Sequence, residues 1–342
     1  MIRRQTVQKR ITNFDQKYSR ENEDDDKKSK FTFVDLFAGI GGIRMGFENV
    51  SCKCVFTSEW DKHAQKTYES NFGEIPHGDI TKINPEEIPP FDILLAGFPC
   101  QPFSQAGLKK GFDDTRGTLF FDIARIIQRH KPRVIFLENV RNLAGHDKGK
   151  TLSVIVKTLE DLGYSVFTKV INAKDFGLPQ NRARIYIVGF RDNIKFDFPK
   201  EPKIPTKVGQ ILNKNVDDIY TLSDKLWAGH QRRKREHALK GNGFGYSIFN
   251  ENSQYTSTIS ARYYKDGSEI LVEQKNKNPR KLTPREAARL QGFPDSFIIP
   301  VSDTQAYKQL GNSVAVPVIK ALATQIIKEL QKADEGRCNE NK

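Results

Sequence analysis

Cys100 has the surroundings expected of a catalytic nucleophile. It follows a predicted strand, Phe91–Gly97, and opens a loop that contains glycine and serine. Functional groups of α/β proteins gather at the carboxyl ends of strands, and a thiolate placed there can act as a nucleophile. An isolated Pro-Cys pair is more often structural, so the assignment depends on the residues that surround it.

A carboxyl group and two guanidinium groups are predicted on the same rim of the sheet. Glu138 follows the predicted strand 134–137, and Arg182 and Arg184 precede the predicted strand 185–190. The two-residue repeat of a strand puts both arginines on one face. One could clamp a substrate oxygen while the other meets a carboxylate or a phosphate, and Glu138 could stabilise charge on a reacting ring. The alternative is that Glu138 caps a helix or is solvated.

A glycine-rich turn near the start of the chain is typical of a nucleotide-binding loop. The predicted strand 31–37 runs into Ala38-Gly39-Ile40-Gly41-Gly42 and then into a helical pattern. Glycines allow a ligand to approach the backbone closely and the helix N-terminus to face it. Glu59, at the end of the next strand, suits ribose hydroxyls, and Asp79 could accept a purine amino group. The pattern alone also fits NAD or FAD, although the run is Gly-x-Gly-Gly and not Gly-x-Gly-x-x-Gly.

Strands alternate with helical patterns from Phe31 to Phe190, which predicts a doubly wound, mostly parallel α/β sheet. The predicted strands are 31–37, 55–58, 93–96, 134–137, 165–172 and 185–190, and the predicted helices include 62–72, 119–130 and 151–162. This alternation stops after Phe190, where Pro, Lys, Asn and Gly are frequent. A helix-rich end begins at Asp303, with a helix over 316–331. We therefore predict a smaller domain inserted late in the fold.

The net charge indicates a polyanionic partner. Lysine and arginine number 55 against 42 acidic residues, a formal charge of +13. Such an excess favours nucleic acid or an anionic membrane surface, with a merely basic soluble protein as the alternative. No apolar run approaches the ~20 residues of a membrane span, and the N-terminus lacks a signal core. The four cysteines show no zinc-type spacing, so we predict no metal site and a reducing cytoplasm.

A strongly basic segment precedes a mixed polar and aromatic one. Residues 231–240 hold five basic side chains in ten positions. Such side chains contact phosphates and give affinity without sequence information. The glycine-rich run 241–246 follows, and residues 256–269 then mix Arg, Lys, Asp and Glu with aromatic residues, a composition that can distinguish base edges in DNA. The alternative is a solvated basic surface.

From Phe31 to about Ile327 the chain resembles the DNA cytosine-5 methyltransferases of bacterial restriction–modification systems. The motif blocks occur in the order found in that family: FVDLFAGIGG at 33–42, EWD at 59–61, GDI at 78–80, PCQ at 99–101, ENV at 138–140, QNRAR at 180–184, PREAARLQGFP at 284–294 and GNSV at 311–314. In the family the last helical piece rejoins the large domain. The resemblance thus implies an arm at 1–30, a catalytic domain of 31–192 plus 303–335, a target-recognition domain of 193–302 and a tail at 336–342.

The resemblance implies S-adenosylmethionine as cofactor, with S-adenosylhomocysteine as product. Phe37 and Trp60 would sandwich the adenine, Glu59 would hold the ribose, and Asp79 and Ile80 would flank the adenine. The full set implied for the pocket is Phe37, Gly39, Gly41, Gly42, Glu59, Trp60, Asp79, Ile80, Pro99, Leu119, Asn312 and Ser313.

The resemblance also implies a role for each catalytic residue. The Cys100 thiolate would add to C6 of a cytosine that has been flipped out of the duplex, because a stacked base is unreachable. Glu138 would bond the ring N3 and amino group, and Arg184 would bond O2 with Arg182 in support. The loop 101–117 would close over the base. It would bring Ser104 and Gln105 near the minor groove and Arg116 to a phosphate or sugar.

For the DNA site, the runs GNGFGY at 241–246 and ARYYKDG at 261–267 resemble the recognition regions of CCNGG, CCWGG or CCGG methyltransferases. Arg232 and Arg233 are expected at phosphates and Thr258 at the phosphate beside the flipped base. Arg262 and Lys265 are expected at guanines. The family implies a cytoplasmic bacterial monomer at the nucleoid, acting on double-stranded DNA and protecting it from a cognate restriction endonuclease that acts on the same site.

Three other functions fit the sequence less well. A tRNA cytosine methyltransferase of the related eukaryotic branch should have a shorter middle segment with a Cys-Phe-Thr signature, which is missing from the sequence. An NAD-type oxidoreductase is disfavoured by the glycine spacing. A non-catalytic DNA-binding regulator would not need Cys100, Glu138 and Arg184 together.

Overall fold

The computed structural model describes residues 30–99 and 119–340. Cys100 and the loop that follows it, with the predicted DNA contacts Ser104, Gln105 and Arg116, lie outside the described residues, as does the predicted arm before Lys30. The predictions for these residues stay predictions.

Six strands form the main sheet in the order β2-β1-β3-β4-β6-β5. They are β1 Phe31–Leu36, β2 Cys52–Ser58, β3 Ile93–Gly97, β4 Val134–Val140, β5 Ser165–Asn172 and β6 Ala183–Phe190. The first four are parallel, but β6 runs antiparallel to both β4 and β5. Parallel neighbours need a crossover of a dozen or more residues, and only residues 173–182 lie between β5 and β6. The predicted α/β sheet is confirmed, with one reversed strand.

Helices cover both faces of this sheet. In the described part of the chain they are α1 Gly42–Glu48, α2 Lys62–Phe72, α3 Leu119–His130, α4 Lys150–Asp161, α5 Asp224–Leu239, α6 Pro284–Leu290, α7 Asp303–Asn312 and α8 Val316–Glu340. Phe47 of α1 and Leu322 of α8 pack on one face of the sheet. Ile123 of α3 and Ile155 of α4 pack on the other. The helices predicted at 62–72 and 119–130 have the predicted bounds.

The stretch Asp303–Gly336 has the length and apolar composition of a membrane span, contrary to the expectation that no apolar run approaches that length. Its most apolar window is 61% buried inside the protein, and Ile319, Leu322 and Ile326 are fully buried there. Burial against other side chains accounts for this apolar composition, so we interpret the stretch as core helices.

A small second sheet consists of β7 Ile248–Phe249, β8 Leu271–Val272 and β9 Arg280–Lys281, in that order. Val272 of β8 is part of a larger buried cluster and does not belong to a separate core. Ile259 and Tyr263 belong to the same buried cluster as Ile40 and Met45, which come from the glycine-rich loop and α1. The part of the chain predicted to contact DNA therefore shares a buried apolar cluster with the loop predicted to bind the cofactor.

Candidate active site and recognition surface

The carboxyl ends of β3 and β4 hold the start of the Cys100 loop. Gly97 pairs with Glu138 across the two strands, and a Cβ on Gly97 would lie 3.6 Å from Glu138 Oε2. Asn139 is buried, and its Nδ2 donates to the Phe98 carbonyl at 2.8 Å. This bond fixes the loop to β4 two residues before Cys100. Asn139 had been given no role from the sequence, although a polar residue inside a buried strand already indicates a needed partner.

Glu138 and Arg184 form a buried ion pair at this rim. Arg184 Nε lies 3.2 Å from Glu138 Oε1, and Glu138 is only 8% exposed. Burial raises the pKa of the Glu138 carboxyl, and the nearby Arg184 and Arg182 lower it by less. A carboxyl group that holds its proton above the usual range can donate a hydrogen bond to a ring nitrogen. The structure thus brings Glu138 and Arg184 together at this rim, and their roles toward a substrate stay predictions.

Arg182 has partners different from those expected. Its guanidinium donates to the carbonyls of Ile259, Gly311 and Ser313, not to a carboxylate or a phosphate. Arg182 precedes β6 by one residue, so the alternation of the strand does not set its direction. Burial lowers the pKa of Arg182 to about 9, which is still above neutrality, so the side chain stays charged at pH 7.

The glycine-rich loop after β1 has left-handed backbone at Phe37 (φ 56°), Gly39 (φ 57°) and Gly41 (φ 82°). The Gly39 amide donates to Glu59 Oε2 at 2.8 Å, and the Asp61 amide donates to Glu59 Oε1 at 2.8 Å. Glu59 therefore joins the ends of β1 and β2. Burial raises the pKa of this carboxyl, and the two amides lower it in part. Each carboxyl oxygen keeps a lone pair for a further donor.

The loop is closed on one side and open on the other. A Cβ on Gly41 would overlap the Phe72 ring, and a Cβ on Gly42 would lie 2.9 Å from Ser313 Oγ and 2.8 Å from Val314 Cγ2. A Cβ on Gly39 would meet nothing within 4 Å. An open backbone cradle beside a buried carboxylate fits the ribose end of a nucleoside such as S-adenosylmethionine.

The remaining residues predicted for the cofactor lie at the ends of the elements around this loop. Trp60 is 75% exposed. Asp79 caps the short turn at Ile80 by accepting from the Thr81 amide at 3.0 Å, while Ile80 is buried. The others in the set differ in exposure: Pro99 and Asn312 are exposed, while Phe37, Leu119 and Ser313 are half-buried. Their assignment to the cofactor stays a prediction.

Asp35 of β1 is a buried carboxyl group that had been given no role from the sequence. No hydrogen bond of acceptable geometry reaches either oxygen from a described residue, and the same holds for Thr57 Oγ1, on the residue paired with Asp35. Burial raises the pKa of Asp35 from 3.8 to about 8, more than the nearby Arg44 lowers it. At neutral pH the folded protein therefore holds a proton that the unfolded chain releases.

Asp35→Asn is expected to flatten the dependence of stability on pH. Below the unfolded pKa of 3.8 the wild-type carboxyl is protonated in both states. Between that value and about 8 only the unfolded form ionises, so wild-type stability falls as pH rises through this window. Urea unfolding at pH 5 and pH 8 should show a smaller loss for Asp35→Asn than for wild type. Asp161→Asn, on an exposed carboxyl, serves as control. Equal losses in wild type and Asp35→Asn would refute the shift.

The recognition segment, residues 256–265, approaches the catalytic rim at one end. Thr258 Oγ1 donates to the Asn181 carbonyl at 2.6 Å, three residues before Arg184. Tyr263 is buried and anchors the segment, since its hydroxyl donates to the Ile270 carbonyl at 2.7 Å. Arg262 and Lys265, on either side of Tyr263, are exposed. The segment thus presents two basic side chains to solvent on a fixed backbone, as a base-contacting surface requires.

The basic helix α5 lies beside this segment. Arg233 donates to Asp266 Oδ2 at 3.2 Å and bonds His230 Nδ1 at 2.9 Å. Part of its donor capacity is therefore used to hold α5, and the prediction that it contacts a phosphate stays untested. Arg232 is exposed, with Glu236 at 3.6 Å as a surface partner, and such a pair is weak enough for a phosphate to displace.

Comparisons with known proteins agree on one family. A family model described as C-5 cytosine-specific DNA methylase matches residues 31–328. Type II methyltransferase M.SsoII of Shigella sonnei is 64% identical over 310 residues, which are 89% of this chain and 82% of that protein. Type II methyltransferase M.HpaII of Haemophilus parainfluenzae is 49% identical over 89% of this chain and 91% of that protein.

Solved structures show the same fold. The S. pombe Dnmt2 methyltransferase superposes with a TM-score of 0.73 at 20% identity, over 88% of this chain and 99% of that chain. The Entamoeba histolytica methyltransferase EhMeth gives a TM-score of 0.72 at 22% identity, over 89% and 99% of the two chains. At these identities the likeness concerns the fold alone.

Proposed function

Because this chain belongs to the C-5 cytosine-specific DNA methylase family, we propose that it transfers a methyl group from S-adenosylmethionine to C5 of a cytosine in duplex DNA. The observation that carries the proposal is the buried Glu138–Arg184 pair at the rim where the Cys100 loop starts. A paired acid and guanidinium beside a cysteine loop match the N3 and O2 atoms of one cytosine ring and a thiolate attack on C6.

In the proposed reaction each side chain has one task. The Cys100 thiolate bonds to C6, and the ring electrons that are displaced make C5 nucleophilic. Glu138 donates to N3 and so stabilises the charge that this attack builds on the ring, while Arg184 donates to O2. The cofactor supplies an electrophilic methyl group on its sulfonium. After transfer, a water molecule takes the C5 proton, the electron pair of that C–H bond re-forms the C5–C6 double bond, and the C6–S bond breaks with release of the thiolate.

The cofactor would be held by the glycine-rich loop and Glu59. The support is the open face of the backbone at Gly39, the carboxylate beside it and the exposed Trp60 ring. Glu59 would accept from the ribose hydroxyls, and Phe37 and Trp60 would enclose the adenine. The Ser313 hydroxyl lies against Gly42 and would close the cofactor pocket there.

The target would be a short site of the CCNGG, CCWGG or CCGG type, bound by the recognition segment and α5. The exposure of Arg262, Lys265 and Arg232 supports this assignment. We further propose that the protein acts as a monomer on the DNA of its own bacterial cell, in the cytoplasm at the nucleoid. There it would protect that DNA from a cognate restriction endonuclease, a role consistent with relatives named as Type II methyltransferases.

The function is tested by supplying labelled S-adenosylmethionine together with either duplex DNA or tRNA. Methylated cytosines in the DNA are then mapped by bisulfite sequencing. Methylation of one short motif of the CC…GG type supports the proposal and identifies the cytosine. Label in tRNA alone, or methylation of DNA without a common motif, would contradict it. A duplex in which the mapped cytosine is replaced by thymine serves as the matched control substrate.

A further inference from the structure

Arg182 lies at a buried junction between three parts of the chain. Its guanidinium donates to the carbonyls of Ile259 at 3.1 Å, Gly311 at 3.0 Å and Ser313 at 2.5 Å, and the residue is 2% exposed. Ile259 belongs to the recognition segment, and Ser313 belongs to the set predicted for the cofactor. Arg184, which pairs with Glu138, stands two residues further along. One guanidinium therefore bonds both the recognition segment and the segment Gly311–Ser313, two residues away in sequence from Arg184.

The recognition segment is held from both sides at this junction. Gln180 is fully buried, its Oε1 accepts from the Ile259 amide at 3.1 Å, and its Nε2 donates to the Leu290 carbonyl at 3.0 Å. The Asn181 amide donates to the Thr256 carbonyl at 2.9 Å. The backbone of the segment is thus bonded to the residues just before β6 at both Thr256 and Ile259, and it cannot shift without breaking several buried bonds.

The cofactor side is packed against the same segment with no free space. A Cβ on Gly311 would lie 2.3 Å from the Ser260 carbonyl carbon and oxygen and 2.4 Å from the Ala261 amide nitrogen. These are backbone atoms, which cannot rotate away as a flexible side chain can. The end of α7, which carries Gly311 and leads into Ser313, and the recognition segment are therefore in direct backbone contact.

We propose that Arg182 is a positioning residue that sets the recognition segment and the segment Gly311–Ser313 at a fixed distance from Arg184. It touches no reacting atom and acts through the three carbonyls that it binds. The planar fork of its guanidinium can serve several carbonyls at fixed angles, which an ammonium cannot. Cofactor affinity and target discrimination then depend on one buried group. This inference rests on the proposed function and adds a device to the same site.

The test is Arg182→Lys, which keeps the charge and loses the fork. We expect the Kd for S-adenosylhomocysteine, measured by calorimetry on the folded protein, to rise about tenfold, the factor for roughly one lost charge-assisted hydrogen bond. We expect the ratio of methylation rates between the mapped site and a site changed at one base pair to fall by a similar factor. A residue that only contributes stability would change neither this Kd nor this ratio of rates once the folded fraction is accounted for.

Gly311→Ala alters the same junction at the end of α7 and changes no charge. Its added methyl group must displace Ser260, so it should weaken cofactor binding and discrimination together. The control is Arg133→Lys. Arg133 also joins distant parts of the chain, since its guanidinium donates to Asp334 at 2.6 Å. It lies just before β4, at the amino ends of the parallel strands and so away from the catalytic rim. We expect it to lower the melting temperature only.

The two hypotheses fail in different ways. If wild type methylates DNA while Arg182→Lys and Gly311→Ala behave like Arg133→Lys, the positioning role is overturned and the proposed function stands. A change in the Kd alone or in the ratio of rates alone also overturns it, because the junction joins the recognition segment to the segment Gly311–Ser313. If wild type transfers no methyl group to DNA, the proposed function fails and this inference fails with it.

Discussion

Replacement of Cys100 by serine is expected to lower methyl transfer by about 10⁴-fold or more, since the nucleophile is lost. A thiol ionises near neutral pH when its surroundings favour the thiolate, whereas a serine hydroxyl stays protonated and adds poorly to C6. Transfer of label from S-adenosylmethionine to the mapped DNA site measures the loss. Binding of DNA and of S-adenosylhomocysteine should persist, because Cys100 is not among the groups proposed to hold either one.

A trapped adduct separates nucleophilic attack from other causes of inactivity. When S-adenosylmethionine is supplied and the mapped cytosine carries fluorine at C5, methyl transfer leaves no C5 proton to remove, so the thiolate cannot leave by elimination. Wild type should then form a covalent complex that survives denaturation, and Cys100→Ser should form none. Cys54→Ser is the matched control. Burial raises the pKa of the Cys54 thiol to about 12, so that residue is inert and the variant should keep its activity. Turnover that survives in Cys100→Ser would contradict the assignment.

Glu138→Gln is expected to lower kcat by about 10²- to 10³-fold, the range for losing a positioned acid that stabilises developing charge. The amide keeps nearly the same shape and can still donate from nitrogen, but it cannot hold a titratable proton. It also leaves Arg184 without its carboxylate partner at 3.2 Å. Single-turnover rates on the mapped site measure the effect. Glu86→Gln, which removes an exposed carboxyl group, should leave the rate unchanged.

The pH profile of the two proteins provides a second readout. Burial raises the pKa of Glu138, and the donor role needs the protonated form. The wild-type rate should therefore hold below this raised pKa and fall as pH rises through it. Glu138→Gln should lack that alkaline limb, because its amide does not ionise in the range. If both proteins show the same alkaline limb, the proton on Glu138 plays no part in the rate.

The residues of the site that could be predicted from the sequence are those that lie at the ends of predicted strands. Glu138 comes directly after a strongly apolar run, so its place at the carboxyl rim could be predicted from the strand alone. The partners of Arg182 could not. Arg182 lies in the turn before β6, and its carbonyl acceptors come from residues about 80 and 130 positions away in sequence. Only the folded chain brings such groups together.

The antiparallel direction of β6 does not follow from the sequence pattern, for a related reason. Alternation of strands and helices gives the order of elements but not the sense of each strand. The short connection 173–182 was the available indication, because it is too short for a parallel crossover. The burial of Asp35 had no indication at all. A carboxyl group at the end of a strand is usually near solvent, but Asp35 is fully buried in a strand flanked by β2 and β3, close to Arg44 of α1.

The reversal of β6 also determines the path of the chain that follows. β6 starts at the catalytic rim and ends at the opposite edge, where the Arg191 amide bonds the Arg133 carbonyl. The chain must then return, and it is back beside Asp175 by Lys203. The strap between them, residues 192–202, has to span the eight residues of β6, about 26 Å at strand spacing.

About eight fully extended residues are needed to cover that distance, so the strap is only a few residues longer than the minimum. Residues 192–202 therefore have a minimum length, set by the length of β6, but no similar upper limit. Insertions in the strap would cost little, because the free energy of closing a loop grows slowly with its length. Shortening it below the depth of the sheet would pull the recognition segment away from the rim.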